Sequence, residues 1–311
     1  MQRWNSFAFI VLVLLMGANA MATTIPPEVK EIVTFIFVQN SEGNLEPKGT
    51  GFFVGVKDEK NPERMYVYLA TAKHVIQDET RSYYSSIFIR LNKRAGGAQM
   101  IEIPLKGKDA APVYVHKDPE VDLVVFPILP DQQIYDFKVL PDDMLTTVES
   151  FKEANIREGD EVFFTGLFGH FFGAQRNYPI VRFGRVALIT DEKIPWQEDA
   201  NTGVMLDLYL LEVQSFGGNS GSPVFFYLGG TRDPGSLILG HRLLLAGVMK
   251  GTFLDAKEVK IAEKIVEVEK REKRKIPVSQ ENIGIAAVVP SYKLHQILFS
   301  DKLREIRAKN R

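Results

Sequence analysis

Apolar residues in this chain come in short runs separated by turn-forming clusters, a spacing that belongs to strands rather than long helices. Val29–Val38 is apolar and β-branched, a strand or a short helix leading into one. Asn40–Lys48 is a turn region, followed by a strand over Gly49–Val56 whose glycines permit close backbone approach. Asn61-Pro62 marks a hairpin turn before the alternating, apolar strand Met65–Thr71. Ser86–Leu91, Met100–Leu105, a short Val113–His116 and the apolar run Leu123–Phe126 complete a first set. Leu129–Phe151 is rich in Pro and Asp and has little periodicity, which makes it the connection between two halves. Glu161–Leu167, Val181–Thr190, Val204–Val213, Val224–Leu228, Leu243–Met249 and Ile283–Val289 supply strands for the second half.

Two stretches break this pattern. Ser291–Arg307 places Leu294, Ile297, Leu298 and Leu303 on one helical face, with Ser291 as N-cap. Asp255–Lys275 is charge-rich and lacks Gly and Pro, and Val259, Ala262, Ile265 and Val266 share a face. It reads as an amphipathic helix inserted between two strands: a solvated surface helix with no role, or else one that walls a cleft or holds the subunits of a homo-oligomer together. Residues 301–311 form a charged tail.

Composition narrows the chemistry. A length of 311 residues with 45% hydrophobic content supports a large core. The net charge of −1 gives no basis for a nucleic-acid surface. With no cysteine there is no disulfide framework and no thiolate nucleophile, and the five scattered histidines lack the spacing of a zinc hydrolase. No metal or cofactor is implied. Arg3 followed by the unbroken apolar run Phe7–Met16 and by Ala18-Asn19-Ala20 reads as a signal peptide over residues 1–22, with Ala20-Met21-Ala22 as the alternative cleavage site. The expected mature protein is exported, periplasmic or secreted, with no membrane attachment once the leader is gone.

Three stretches can carry chemistry. Ser215-Phe216-Gly217-Gly218-Asn219-Ser220-Gly221-Ser222-Pro223 sets one serine among glycines between two strands, a turn able to aim backbone N–H groups at one point. A serine there is a nucleophile only if a base and an orienting acid exist elsewhere. His74, in Ala70-Thr71-Ala72-Lys73-His74, stands at the end of a buried strand. Asp122 stands at the mouth of the apolar run Leu123–Phe126, where a buried carboxylate needs a partner such as an imidazole N–H. Each has an ordinary structural reading alone: a core histidine, a turn aspartate, a Gly/Ser/Asn turn. Their order, His74, Asp122, Ser220, is that of the chymotrypsin-type triad.

At these residues the chain resembles the trypsin-like (chymotrypsin-fold) serine peptidases. Thr71-Ala72-Lys73-His74 is similar to the family's histidine box, Asp122-Leu123-Val124-Val125 to its aspartate box and Gly218-Asn219-Ser220-Gly221-Ser222-Pro223 to its serine box. Gly49-Thr50-Gly51-Phe52 resembles the strand before the histidine, and Ala246-Gly247-Val248-Met249 the strand that binds substrate backbone. The resemblance implies an all-β fold of two six-stranded antiparallel barrels, the first over about 29–130 and the second over about 155–290, in a peptidase domain spanning 23–300. The helical insertion falls at about 255–275 and a helix closes the chain. It further implies Ser220 as nucleophile, His74 as base and then acid, Asp122 as the group that fixes the imidazole tautomer, and the N–H groups of Gly218 and Ser220 as oxyanion hole. Gln214 aligns with the floor of the P1 pocket and Gly247, Val248 and Met249 with the substrate-binding strand. Asn219 replaces the usual aspartate, as in the HtrA-like branch, and no PDZ-sized extension follows.

The implied activity is a serine endopeptidase acting on polypeptides through an acyl-enzyme. A pseudoprotease acting as a binding module is the alternative. A serine esterase fits poorly, since Pro223 and an apolar run follow the serine where a helix should stand.

Overall fold

Strands buried on both faces need apolar residues at consecutive positions, because successive side chains point to opposite sides. That is the arrangement in this chain. The computed structural model describes residues 25–61, 63–197, 203–229, 241–258 and 278–310. A single helical turn α1 (Glu28–Glu31) leads into β1 (Val33–Gln39), β2 (Leu45–Lys57) and β3 (Met65–Thr71). β4 (Ser86–Asn92), β5 (Ala98–Pro104), β6 (Tyr114–Val115) and β7 (Val124–Pro127) follow. The first half is an eight-stranded sheet of order β5-β4-β1-β2-β3-β7-β6, with the short β8 (Leu140–Pro141) parallel to β2. Its pairings form an open path among the described residues, where a closed six-stranded barrel was expected.

The connection between the halves carries α2 (Val148–Glu153), capped by Thr147, whose side chain accepts from the Ser150 N–H. The second half contains β9 (Glu161–Gly166), β10 (Ile180–Leu188), β11 (Ile194–Gln197), β12 (Gly203–Leu206), β13 (Tyr209–Glu212), β14 (Pro223–Gly229), β15 (His241–Glu258) and β16 (Val278–Pro290). Six of these close into a barrel of order β10-β13-β16-β15-β14-β9, and β11 and β12 form a separate ribbon.

The packing explains the runs. In β1 and β2, Ile36 and Phe53 face the interior of the first half, while Phe35, Phe37, Phe52 and Val54 face the seam between the halves. In β9 and β14, Phe164 and Phe226 fill the second barrel and Phe163 and Phe225 face the same seam. Phe163 and Phe225 stack there at 5.2 Å. The seam is thus a core shared by both halves. Its surface holds them in one relative position, which a site divided between them requires.

Several sequence expectations change. The strand expected over Val204–Val213 is two strands, β12 and β13, and its partner β11 was not anticipated. The closing helix is two helices, α3 (Ser291–Leu298) and α4 (Asp301–Lys309), broken at Phe299-Ser300. Ser291 is the first helical residue, not the N-cap; its hydroxyl accepts the Thr146 N–H at 3.1 Å and so ties α3 to the connection. Residues 301–309 are docked, with Leu303 and Arg307 buried. The expected insertion helix over Asp255–Lys275 is corrected at its start: Asp255–Glu258 continue β15 and pair with Val278–Glu281 of β16. Pairing with a partner strand outweighs helical propensity there. The rest of that expected helix, with Val259, Ala262, Ile265 and Val266, lies outside the described residues, as does the expected signal peptide.

Candidate active site

The pairing of β3 with β7 brings the first two candidate residues together. Thr71 lies opposite Val124 in this antiparallel pair. Two residues past each, the chains are still side by side, and the Lys73 N–H donates to the Asp122 carbonyl at 3.3 Å. β3 then ends in a 3-10 turn, Lys73–Ile76, which turns His74 back over Asp122. One carboxylate oxygen of Asp122 accepts the His74 backbone N–H at 2.9 Å, and the other meets His74 Nδ1 at 2.7 Å. Backbone and ring are thereby both fixed by one carboxylate. The His74 side chain is 43% exposed while that of Asp122 is 7% exposed, so the imidazole reaches the surface from a buried acid.

Burial by itself pushes the Asp122 carboxyl up. The charges of His74 and of Lys250, with the two hydrogen bonds from His74, outweigh it and hold this carboxyl well below the ordinary carboxylate range. Lys250 is a residue the sequence reading passed over. Its Nζ lies 3.0 Å from the same oxygen that His74 Nδ1 touches, and its side chain is 6% exposed. The available signal was a lysine at the end of the otherwise apolar Leu243–Met249 run.

Ser220 is held against this pair by the turn before β14. Gly218 and Gly221 hold φ angles of +93° and +83°, which favour glycine. A Cβ on Gly221 would meet the Thr50 carbonyl, the Thr71 hydroxyl and, at 3.2 Å, the Ala72 nitrogen. The serine turn therefore lies directly against the end of β3, just before His74. Thr50 fastens it from the first half: its N–H donates to the Ser220 carbonyl at 2.9 Å and its hydroxyl to the Gly218 carbonyl at 2.8 Å, while that hydroxyl accepts the Leu167 N–H at 2.9 Å. Asn219 is buried. Its side-chain oxygen accepts the Phe216 N–H at 2.8 Å and its amide donates to the Leu167 carbonyl at 2.6 Å. Among the described residues, no hydrogen bond takes up the N–H of Gly218 or of Ser220. The Ser220 hydroxyl donates to the Lys250 carbonyl at 3.1 Å, and no bond between it and His74 is formed in this arrangement.

The residues expected to bind substrate backbone, Gly247, Val248 and Met249, lie on β15. Gly247 and Val248 are paired on both sides, with β14 and β16, and Met249 exchanges bonds with Gly221 and Ser222. Their backbone hydrogen bonds go to neighbouring strands and to the serine turn. Among the described residues, β14 pairs no further along β15 than Val248. Gln214 is exposed; its carbonyl accepts from the Arg182 guanidinium at 3.2 Å, and that guanidinium lies 4.5 Å from the Phe216 ring centroid. Among the described residues no group of metal-ligating side chains occurs, and no helix is long and apolar enough to cross a membrane.

No curated protein matches the sequence. Among solved structures, the active form of the Rv3671c protease from M. tuberculosis is similar over 87% of this chain and 80% of its own, with 14% identity and a TM-score of 0.44. Human heparin binding protein is similar over 91% of this chain and 93% of its own, with 12% identity and a TM-score of 0.43. A profile of the trypsin-like peptidase domain matches residues 49–229, more than half of the chain and the whole span from the strand before His74 to the strand after Ser220. With that match, the chain belongs to the trypsin-like peptidase family.

Proposed function

We propose that this protein is a serine endopeptidase that cleaves polypeptides through an acyl-enzyme formed on Ser220. The observation that carries the reading is the two-point hold of Asp122 on His74, at 2.7 Å to Nδ1 and 2.9 Å to the backbone N–H. A carboxylate bound to Nδ1 keeps the proton there and leaves Nε2 as the acceptor a hydroxyl needs. In the first step the Ser220 proton passes to Nε2 as Oγ bonds to the scissile carbonyl carbon. The oxyanion is received by the N–H groups of Gly218 and Ser220. Collapse breaks the C–N bond, and the amine leaves with the proton from His74. Water then attacks the acyl group, giving its proton to His74, which returns it to Ser220 as the acid departs. The resting Ser220 hydroxyl must swing from the Lys250 carbonyl to His74, as unliganded hydrolases commonly require.

The substrate backbone is received along β15 from Lys250 onward. The neutral Gln214 and the Arg182 cation beside Phe216 disfavour Arg or Lys at P1, so small or medium uncharged side chains are expected. We read residues 1–22 as an export signal and the mature enzyme as periplasmic or secreted.

The test is labelling by a fluorophosphonate probe together with hydrolysis of an unfolded protein. Wild-type protein should label and cleave, and Ser220→Ala should do neither while staying folded. Folded wild-type protein that remains unlabelled across the neutral pH range would favour the binding-module reading instead.

A further inference from the structure

The strand order β15-β14-β9 puts β15 and the end of β9 on opposite sides of β14, which begins as the serine turn ends. On the β15 side, the Gly221 N–H donates to the Met249 carbonyl at 2.8 Å and the Ser220 hydroxyl to the Lys250 carbonyl at 3.1 Å. On the β9 side, the Asn219 amide donates to the Leu167 carbonyl at 2.6 Å. A Cβ on Gly169 would lie 3.6 Å from the Gly217 carbonyl. A substrate whose acyl half runs along β15 therefore sends its leaving half toward the segment that follows β9.

That segment is a loop over Phe168–Tyr178, and the first half of the chain holds it. Arg90 of β4 is buried. Its guanidinium donates to the Ala174 carbonyl at 2.8 Å, to Asn177 Oδ1 at 2.9 Å, and to the Phe172 and Arg176 carbonyls at 3.4 Å each. The Asn177 N–H donates to Asn92 Oδ1 at 2.7 Å. Gly173 takes a φ of +93°, and a Cβ there would run into the Arg176 carbonyl. Phe172 turns inward, edge-on to Phe37 at 5.4 Å. Phe171 turns outward. It is 61% exposed and stacks at 6.2 Å on Tyr178, which is 54% exposed. Phe168 stands 5.3 Å from the His170 ring. Single exposed apolar residues are ordinary, but these rings lie together, and the anchors of the loop do not include Phe171 or Tyr178. Rings kept in water forgo the gain that covering them would bring.

We propose that Phe171 and Tyr178, with Phe168 beside them, bind an aromatic or large aliphatic side chain in the leaving half of the substrate. This deepens the peptidase reading and rests on it. Phe171 is four residues beyond Leu167, at most about 14 Å of chain, so its ring is within reach of the first four residues after the scissile bond. The loop is fixed before substrate arrives, so little ordering is needed on binding. Ring faces gain from an apolar partner and not from a carboxylate.

The experiment uses internally quenched peptides with one acyl half and a leaving half that carries Phe, Leu, Gly or Asp at each of its first four positions in turn. At one position, wild type should show a kcat/KM for Phe or Leu about 10-fold or more above that for Gly or Asp. In Phe171→Ala/Tyr178→Ala that ratio should fall toward one. Each single variant should lower it in part, and the single variants decide the matter if the double variant fails to fold. A second readout needs no turnover. Binding of the Phe-bearing leaving half, as a free peptide, to Ser220→Ala protein should weaken by about 10-fold when both substitutions are added. Wild type that cleaves all peptides alike, or variants that lose the same factor on every peptide, overturns the proposal and leaves the peptidase reading standing. So does a dimer that the two substitutions dissociate while the ratio holds, since the rings would then serve a second copy of the chain. Protein that binds the peptide through these rings and hydrolyses nothing upholds the site and refutes the peptidase reading.

Discussion

Replacing Thr50 by Val tests whether the first half of the chain holds the serine turn in place. Thr50 is fully buried, and Val keeps its shape while removing the hydroxyl. Two hydrogen bonds go at once: the one given to the Gly218 carbonyl and the one accepted from the Leu167 N–H. An orphaned buried group costs about 1–3 kcal/mol. Leu167 is fully buried and bears the full cost, whereas Gly218 is half-buried and water can reach its carbonyl. The expected loss is therefore about 2–4 kcal/mol, read from the shift of a denaturant unfolding curve. The turn that carries the proposed donors, the N–H groups of Gly218 and Ser220, should also loosen once the Gly218 carbonyl loses its partner. Removal of one such donor lowers kcat about 10²–10³-fold, so displacement of one should slow fluorophosphonate labelling by about 10-fold or more. Thr50→Ser keeps the hydroxyl and should lose less on both counts. A Thr50→Val protein within about 0.5 kcal/mol of wild type, labelled at the wild-type rate, would refute the argument that this hydroxyl joins the halves of the site.

Other consequences can be checked directly. Asp122→Asn should lower kcat by about 10⁴, because the imidazole loses the partner that fixes its tautomer. The same change removes the carboxylate that Lys250 Nζ meets at 3.0 Å, so a loss of stability at neutral pH is expected. Since the Asp122 carboxyl is held below its ordinary range, its stabilising contribution is complete above the unfolded value of about 3.9 and is lost as the pH falls toward the depressed folded value. Urea midpoints of wild type and variant should therefore converge below about pH 4, and a constant gap would count against this. Asn219→Asp places a carboxylate against the Leu167 carbonyl with no proton to give, so a lowered melting temperature and slower labelling are expected; a more stable variant would be contrary. If residues 1–22 are an export signal, intact-mass measurement of protein recovered from the exported fraction should place its N-terminus at Met21 or Thr23, and an uncleaved chain there would be contrary.

The local order of this molecule is written in its residue types. Runs such as Phe52-Phe53-Val54 and Phe225-Phe226-Tyr227 can be stable only as strands covered on both faces, and they are so covered. The glycines around Ser220, the histidine ending a strand and the aspartate opening one are visible because each needs a particular residue type at a particular place. Lys250 is different. A lysine at a strand end is ordinarily solvated, and only the pairing of β15 within the barrel and the cover from Trp196 bring it to Asp122. The same holds for Thr50, whose hydroxyl meets groups 117 and 168 residues away in the chain. The insertion expected to be helical begins as strand because Asp255–Glu258 find partners in Val278–Glu281, and helical periodicity carries no information about a partner distant in sequence. Sequence determined which segments bury and which residues can do chemistry, since burial and reactivity are properties of side chains. Tertiary structure decided which charges share one oxygen and which backbone groups stay free, since those depend on distances between segments that no local pattern records.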